Sequence, residues 1–303
     1  MRITQRSLTA NSITGINNNL AALTKYQNQL STGKVLTKPS DSPTDTNKSM
    51  QTRSGLVALD QQTRNITDAT ARLKQADSAL STMQELARRV QTLTTQGLNT
   101  GSNDATSSAA LGTEVTALRE SMLGIANTTV ASTGQPLFGG VAAGTVAYDA
   151  TGAYVGTDGY PVTRRIGDSE SIRVDVTGTE AFGTTDTAAG TKDLFALVQG
   201  IADKLNTSPV DVAGLSADLT ALQAAQDRLS SAQSLVGARA LRVDDAAGLN
   251  TDRKLTLTAQ LGALEDVDIP RATLELSAQQ VGYQAALSVA AKALQPTLMD
   301  FLK

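Results

Sequence analysis

Neither cysteine nor histidine occurs anywhere in the chain. No disulfide can form, and thiolate or imidazole metal sites are excluded. Cysteine nucleophiles and every histidine-based triad go with them. Oxygen-only sites and carboxylate or lysine chemistry stay open. Tryptophan is also absent, and aromatic residues reach only 3%. Compact enzymes lean on large rings for their cores and ligand pockets. With 40% hydrophobic residues and so few rings, this chain suits long helices packed through Leu, Ile, Val and Ala. Its 303 residues are enough for two or three domains.

Charge is sparse too. The formal net charge is −3, which gives no electrostatic footprint for nucleic acid. Acids are missing from the start: Arg2, Arg6, Lys25, Lys34 and Lys38 all precede Asp41. A basic start of this kind also suits a transit peptide or a membrane-surface helix. No apolar run of about 7–15 residues lies near the start, so no secretory signal is visible. No stretch approaches the roughly 20 apolar residues of a membrane span. Neither a nucleic-acid nor a membrane partner is expected.

What is present changes character twice. From Pro43 to Gln135 the chain is rich in Ala, Leu, Thr and Gln, with no proline after Pro43. Between Gly134 and Gly190 lie 11 of the 24 glycines and 5 of the 9 aromatics, and no leucine falls between Leu137 and Leu194. After Asp193 the helical composition returns. A Leu-free, Gly-rich block inside a Leu/Ala-rich chain reads as a β insertion in a helical host.

Four apolar stripes test the helical parts. Ile13, Ile16, Leu20, Leu23, Gln27 and Leu30 step by 3 and 4 in turn. So do Ile66, Ala69, Leu73, Ala76, Leu80, Met83, Ala87 and Val90. The third run spans Leu215 to Leu264 in the same rhythm, with polar Gln226, Gln233, Asn250 and Lys254 among its positions. The fourth is Leu276, Gln280, Tyr283, Leu287, Ala290, Leu294, Thr297 and Phe301. Such alternation keeps a narrow seam facing a partner and implies left-handed supercoiling. An ordinary bundle core shares the geometry. The length of the third run favours the fold class expected here: mainly α, a long antiparallel helical rod, coiled-coil-like, with a small β insertion domain.

Breakers mark the joints. Lys38-Pro39-Ser40-Asp41-Ser42-Pro43 is a turn cluster. The polar stretch from Gly97 to Ser108 reads as a loop, followed by a helix over about 109–131. Pro209 precedes the third run, and Pro270 predicts a kink or break before the fourth. In the insertion, Ser171 to Val176 alternates as a half-buried strand should. Val162 to Ile166 and Val146-Ala147-Tyr148 are weaker strand candidates, with Gly152, Gly156 and Gly159 supplying turns between them.

No catalytic constellation emerges. Gly139-Gly140 lacks the Lys-Ser or Lys-Thr of a phosphate loop, and Ser31-Thr32-Gly33-Lys34 lacks the upstream glycine and the strand. Asp244-Asp245 and Glu265-Asp266-Val267-Asp268 are paired carboxylates, readable as a Ca²⁺ or acid/base site, or as a solvated face or inter-subunit charge contact. The loop from Asp149 to Asp158 lacks EF-hand spacing. No catalytic residue, metal site or cofactor is assigned.

Both chain ends carry apolar stripes and few charges, and an apolar stripe must be buried somewhere. The two ends can pair, yet Leu8, Leu298, Met299, Phe301 and Leu302 still lie off or at the end of the stripes. Surface of that kind is a contact site for neighbouring subunits. The expected assembly residues are Ile13, Ile16, Leu20, Leu23 and Leu30 at one end, and Leu287, Leu294, Leu298, Phe301 and Leu302 at the other.

At this point the chain resembles the flagellin superfamily, and within it the hook–filament junction family. The likeness rests on Met1-Arg2-Ile3-Thr4, on Gln29-Leu30-Ser31-Thr32-Gly33-Lys34 and on the Lys38–Pro43 cluster. It continues through Leu137-Phe138-Gly139-Gly140, the stretch Val174 to Phe182, Val236-Gly237-Ala238-Arg239 and Leu264-Glu265-Asp266-Val267-Asp268. It ends with Tyr283-Gln284-Ala285-Ala286-Leu287 and Leu298-Met299-Asp300-Phe301-Leu302. Pro270 departs from the family pattern, as does Gly139-Gly140 with no Pro-Phe after it.

The resemblance implies three layers: paired terminal helices at 1–38 and 271–303, a helical core at 44–136 and 193–270, and a β insertion at 137–192. It implies a structural role, not an enzyme: a ring of copies between a bending hook and a stiff filament, secreted through the flagellar type III export channel. The implied partners are further copies of the chain, the neighbouring hook-associated junction protein, flagellin and an export chaperone. Three other readings stay open. Flagellin itself shares the terminal helices; Met1-Arg2-Ile3-Thr4, the Pro39/Pro43 hinge and Asp300-Phe301-Leu302 argue for the junction. An unrelated coiled-coil module and an enzyme housed in the insertion are the others.

Overall fold

The computed structural model describes residues 5–99, 104–131, 133–141, 144–186 and 191–294. Among them the chain is mainly helical. In order come α1 (Gln5–Thr32), α2 (Pro43–Gly97), α3 (Ala105–Ala126), β1 (Thr163–Arg165), β2 (Ser171–Arg173), α4 (Gly178–Phe182), α5 (Leu194–Leu205), α6 (Val212–Glu265) and α7 (Ile269–Leu294). The chain divides into two compact units, residues 1–59 with 252–303 and residues 60–251. The long helices α2 and α6 each contribute to both.

In the unit of residues 60–251, the α2 stripe is the core. All eight residues from Ile66 to Val90 in that stripe are buried. On α6, Leu215, Leu222, Leu229, Val236 and Val243 join them in one hydrophobic cluster. Three polar positions of the α6 stripe pair across to α2. Gln226 donates to Gln91 at 3.3 Å, Gln233 to Asp77 at 3.0 Å, and Asn250 to Thr63 at 3.3 Å, while Gln84 donates to Gln233 at 2.9 Å. These pairs fix an antiparallel register, because a slip would leave half-buried amides, and the buried Asn250, without these partners. The α3 and α5 helices pack on each other in the same unit.

The joints fall where local capping allows. The α3 helix begins four residues before the expected start and ends five before the expected end. Its first turn is capped by Asp104, whose carboxylate accepts the Ser107 N–H at 2.7 Å. At the other end Asn127 leaves the helix and holds the insertion. Its side-chain oxygen accepts the N–H groups of Ala147 and Tyr148, each at 2.8 Å, and its amide donates to the Tyr148 carbonyl at 2.8 Å. The α6 helix stops at Glu265, and Pro270 sits in the first turn of α7, where a missing N–H costs nothing. The expected interruption is therefore a break.

The insertion carries one antiparallel ribbon, with Thr163 opposite Arg173 and Arg165 opposite Ser171. Val146-Ala147-Tyr148 is not a strand: Tyr148 makes an isolated bridge with Tyr154. Asn127 already takes the N–H groups that a strand there needs for its ladder. Side chains of the insertion, among them Phe138, Tyr148, Ile172 and Phe182, belong to the same buried cluster as the helices. Phe138, Tyr148, Phe182 and Phe195 meet ring to ring at 4.6–5.9 Å. Gly140 lies at φ +66°, where a Cβ would also collide with the Thr157 carbonyl oxygen. That accounts for one glycine of the Leu137–Gly140 motif.

Candidate assembly surface

The surface is built on the unit of residues 1–59 and 252–303, in which α1 packs against α7. Lys34 bridges Asp266, and the Gln279 amide donates to Asn19 Oδ1 at 2.9 Å. These two points set the helices antiparallel. The facing side chains are mostly small or polar. On α1 they include Asn19, Ala22 and Tyr26; on α7 they include Ala272, Gln279 and Ala286.

This choice of face splits both expected stripes. On α1, Ile16, Leu23 and Leu30 are half-buried, while Ile13 (53% exposed) and Leu20 point outward. On α7, Leu276, Tyr283 and Ala290 turn inward and Leu287 is exposed. The Leu294 side chain, Leu298, Phe301 and Leu302 lie outside the described residues.

A second feature was missed in the sequence. Leu274, Ala278, Val281, Ala285 and Val289 form one exposed ridge on the face of α7 opposite α1. Leu274 is 71% exposed and Val281 67%. Their steps of 4, 3, 4 and 4 are the available signal, but the interleaved stripe through Leu276 contains the larger residues and masks it. An apolar helix face open to water on both sides of a pair is costly unless something covers it.

The junction of α1, α2 and α6 is locked by one carboxylate. Glu265 is 3% exposed. Arg53 reaches it with two nitrogens, Nε to Oε1 at 2.8 Å and Nη2 to Oε2 at 2.7 Å. Lys34 Nζ donates to Oε2 at 2.5 Å, and Ser49 donates its hydroxyl to Oε1. The Val35 N–H donates to the Glu265 carbonyl at 2.6 Å, and the Val267 N–H to the Gly33 carbonyl at 2.9 Å. The Arg53 hydrogen bonds are the main reason that the Glu265 pKa falls from 4.5 to about 2; Lys34 and Ser49 add to it against the cost of burial. The lock holds Leu264-Glu265-Asp266 against Gly33-Lys34-Val35 and so aims α1 and α7 at each other. Beside it, Asp41 takes the N–H groups of Thr37 and Lys38 and shapes the proline turn.

No cluster of acids suited to a metal occurs among the described residues. Among them, too, no helix is long and apolar enough to cross a membrane.

The arrangement is that of a helical subunit whose two ends form a partly covered apolar pair. Residues 3–143 match the bacterial flagellin N-terminal helical region, and residues 219–302 match the bacterial flagellin C-terminal helical region. The chain belongs to the flagellin family. Flagellar hook-associated protein 3 of Escherichia coli is 25% identical over 303 residues, covering 94% of this chain and 95% of that one. Flagellin of Bacillus subtilis is 24% identical over 298 residues, covering 97% of each. The crystal structure of flagellar hook-associated protein 3 from Legionella pneumophila superposes with a TM-score of 0.61 at 18% identity, covering 71% of this chain and 98% of that one.

Proposed function

We propose that this chain is a structural junction subunit of the bacterial flagellum, standing as a ring of copies between the hook side and the filament. The observation that carries the reading is the double-faced α7, whose inner face meets α1 while Leu274, Val281 and Val289 stay exposed. Neighbouring copies would cover that ridge together with Ile13, Leu20 and Leu287. Association then supplies the ordering free energy of the terminal helices. The paired-helix layer is 1–38 with 271–303, the helical core 44–136 with 193–270, and the insertion 137–192. Leu294, Leu298, Phe301 and Leu302 are the C-terminal apolar residues we assign to the same assembly contact.

In this role the chain is not an enzyme and needs no cofactor. It leaves the cell through the flagellar export channel, escorted by a chaperone, and meets the neighbouring hook-associated protein on one side and flagellin on the other. The likeness to hook-associated protein 3 supports the junction role, and the comparable likeness to Bacillus subtilis flagellin supports the filament subunit as the second reading. Electron microscopy of a strain lacking the chain separates them. Hooks that end without filaments, while flagellin is shed into the medium, support the junction; loss of flagellin itself supports the second reading. Intact filaments on normal hooks would defeat both.

A further inference from the structure

A cleft of about 470 Å³ runs along α2 in the unit of residues 60–251, walled by Ala71, Val130 and Ala131 with Arg64, Asp68 and Arg72. Arg72 is only 3% exposed. Among the described residues its Nε and Nη2 nonetheless donate to no acceptor. The acids near it are taken: Asp68 holds Arg164 at 2.6 Å and Asp175 holds Arg173 at 2.9 Å. Arg64 on the cleft gives both Nε and Nη2 to the neutral Gln61 side chain. The cleft therefore has an apolar wall, an exposed cation in Arg64 and a second, buried cation in Arg72. Arg72 Nε and Nη2 are sealed from solvent, so the fork open to an incoming carboxylate is that of exposed Arg64.

The complement lies on α6 in the same unit. Asp244 and Asp245 are exposed and carry no hydrogen bond or ion pair among the described residues. One turn to either side of Asp245 stand Leu241, 69% exposed, and Leu249, 52% exposed. The three form an apolar–acid–apolar ridge at i, i+4 and i+8. Val243 and Asn250 of the same helix are buried toward α2. The ridge thus faces away from the cleft of its own copy. We infer that the Leu241–Asp245–Leu249 ridge of one copy docks in the Arg64/Arg72 cleft of the next, with the Asp245 carboxylate on the Arg64 guanidinium and the leucines against Ala71, Val130 and Ala131. Such a contact joins two different patches and so can repeat around a closed ring. It deepens the assembly reading above and rests on it.

The absence of native cysteine makes a clean test possible. Full-length chains carrying either Thr67→Cys in the cleft or Gly248→Cys beside the ridge are expressed in cells lacking the native copy, singly and together. A Cβ at Gly248 meets nothing within 4 Å, so that change is accommodated; Ala71→Cys replaces Thr67→Cys if the latter prevents flagellar assembly. Oxidised flagella are then probed for covalent dimer. Cells expressing both should give at least about tenfold more dimer than either alone, because proximity raises the effective thiol concentration. Adding Asp245→Arg to the Gly248→Cys copy should cut the yield about tenfold, the factor set by one charge-assisted bond, and Arg64→Asp in the cleft copy should restore it. Filaments that assemble normally without dimer would overturn the docking while leaving the junction role intact. If the unmodified chain fails to restore filaments, the junction role falls and the docking with it.

Discussion

Glu265 concentrates more of the terminal architecture than any other single side chain. Its folded pKa of about 2 lies below the ordinary 4.5. A lowered carboxylate pKa means that the unfolded chain binds the proton first, so the stabilisation is complete above about pH 4.5 and fades as pH falls toward 2. Glu265→Gln should destabilise the unit of residues 1–59 and 252–303 by about 2–3 kcal/mol near neutral pH, below the full cost of a broken buried pair because Lys34 and Arg53 can turn to water. Thermal melts of the two proteins should converge between pH 4.5 and 2. A gap that stays constant through that window would remove the lock. Asn127 plays a comparable part for the insertion, holding three backbone groups of Ala147 and Tyr148. Asn127→Ala should cost about 1–3 kcal/mol in denaturant unfolding, the price of orphaned backbone groups. Neither role was legible in the sequence. Glu265 stood among acids that also read as a solvated face, and its partners lie more than 200 positions away.

At the scale of elements, periodicity carried most of the information. The eight-residue α2 stripe is buried throughout, since only one face of that helix is apolar and only one core is available to it. Leu80→Asp tests this. An unpaired charge at a wholly buried position should cost about 3–5 kcal/mol, read as a fall in the denaturation midpoint of the purified chain. An unchanged midpoint would mean that the stripe does not face a core. The terminal helices were harder to read, because apolar residues mark two faces there and the sequence alone does not say which of them meets the partner. The structure turns Asn19, Ala22, Gln279 and Ala286 inward and leaves Leu20, Leu287 and Val281 outside. Small residues let the two helices approach, and the Asn19–Gln279 bond needs a partner within the pair. The end of α3 and the missing third strand share one cause: a side chain at the helix terminus captured backbone that propensity assigns elsewhere.

At the scale of the whole molecule, apolar surface stays exposed on the terminal helices. This chain folds residues 60–251 around a continuous core and leaves apolar ridges exposed on α1 and α7, which we propose other subunits bury. The most direct measurement uses Leu274→Asp/Val281→Asp, two exposed changes that leave the α1-facing side of α7 untouched. The purified variant should melt with the unmodified chain, since surface substitutions of this kind shift stability little. In cells that carry it as the sole copy, electron microscopy should show hooks of ordinary length without filaments, and swimming should be lost. Filaments and wild-type swimming in those cells would contradict the account.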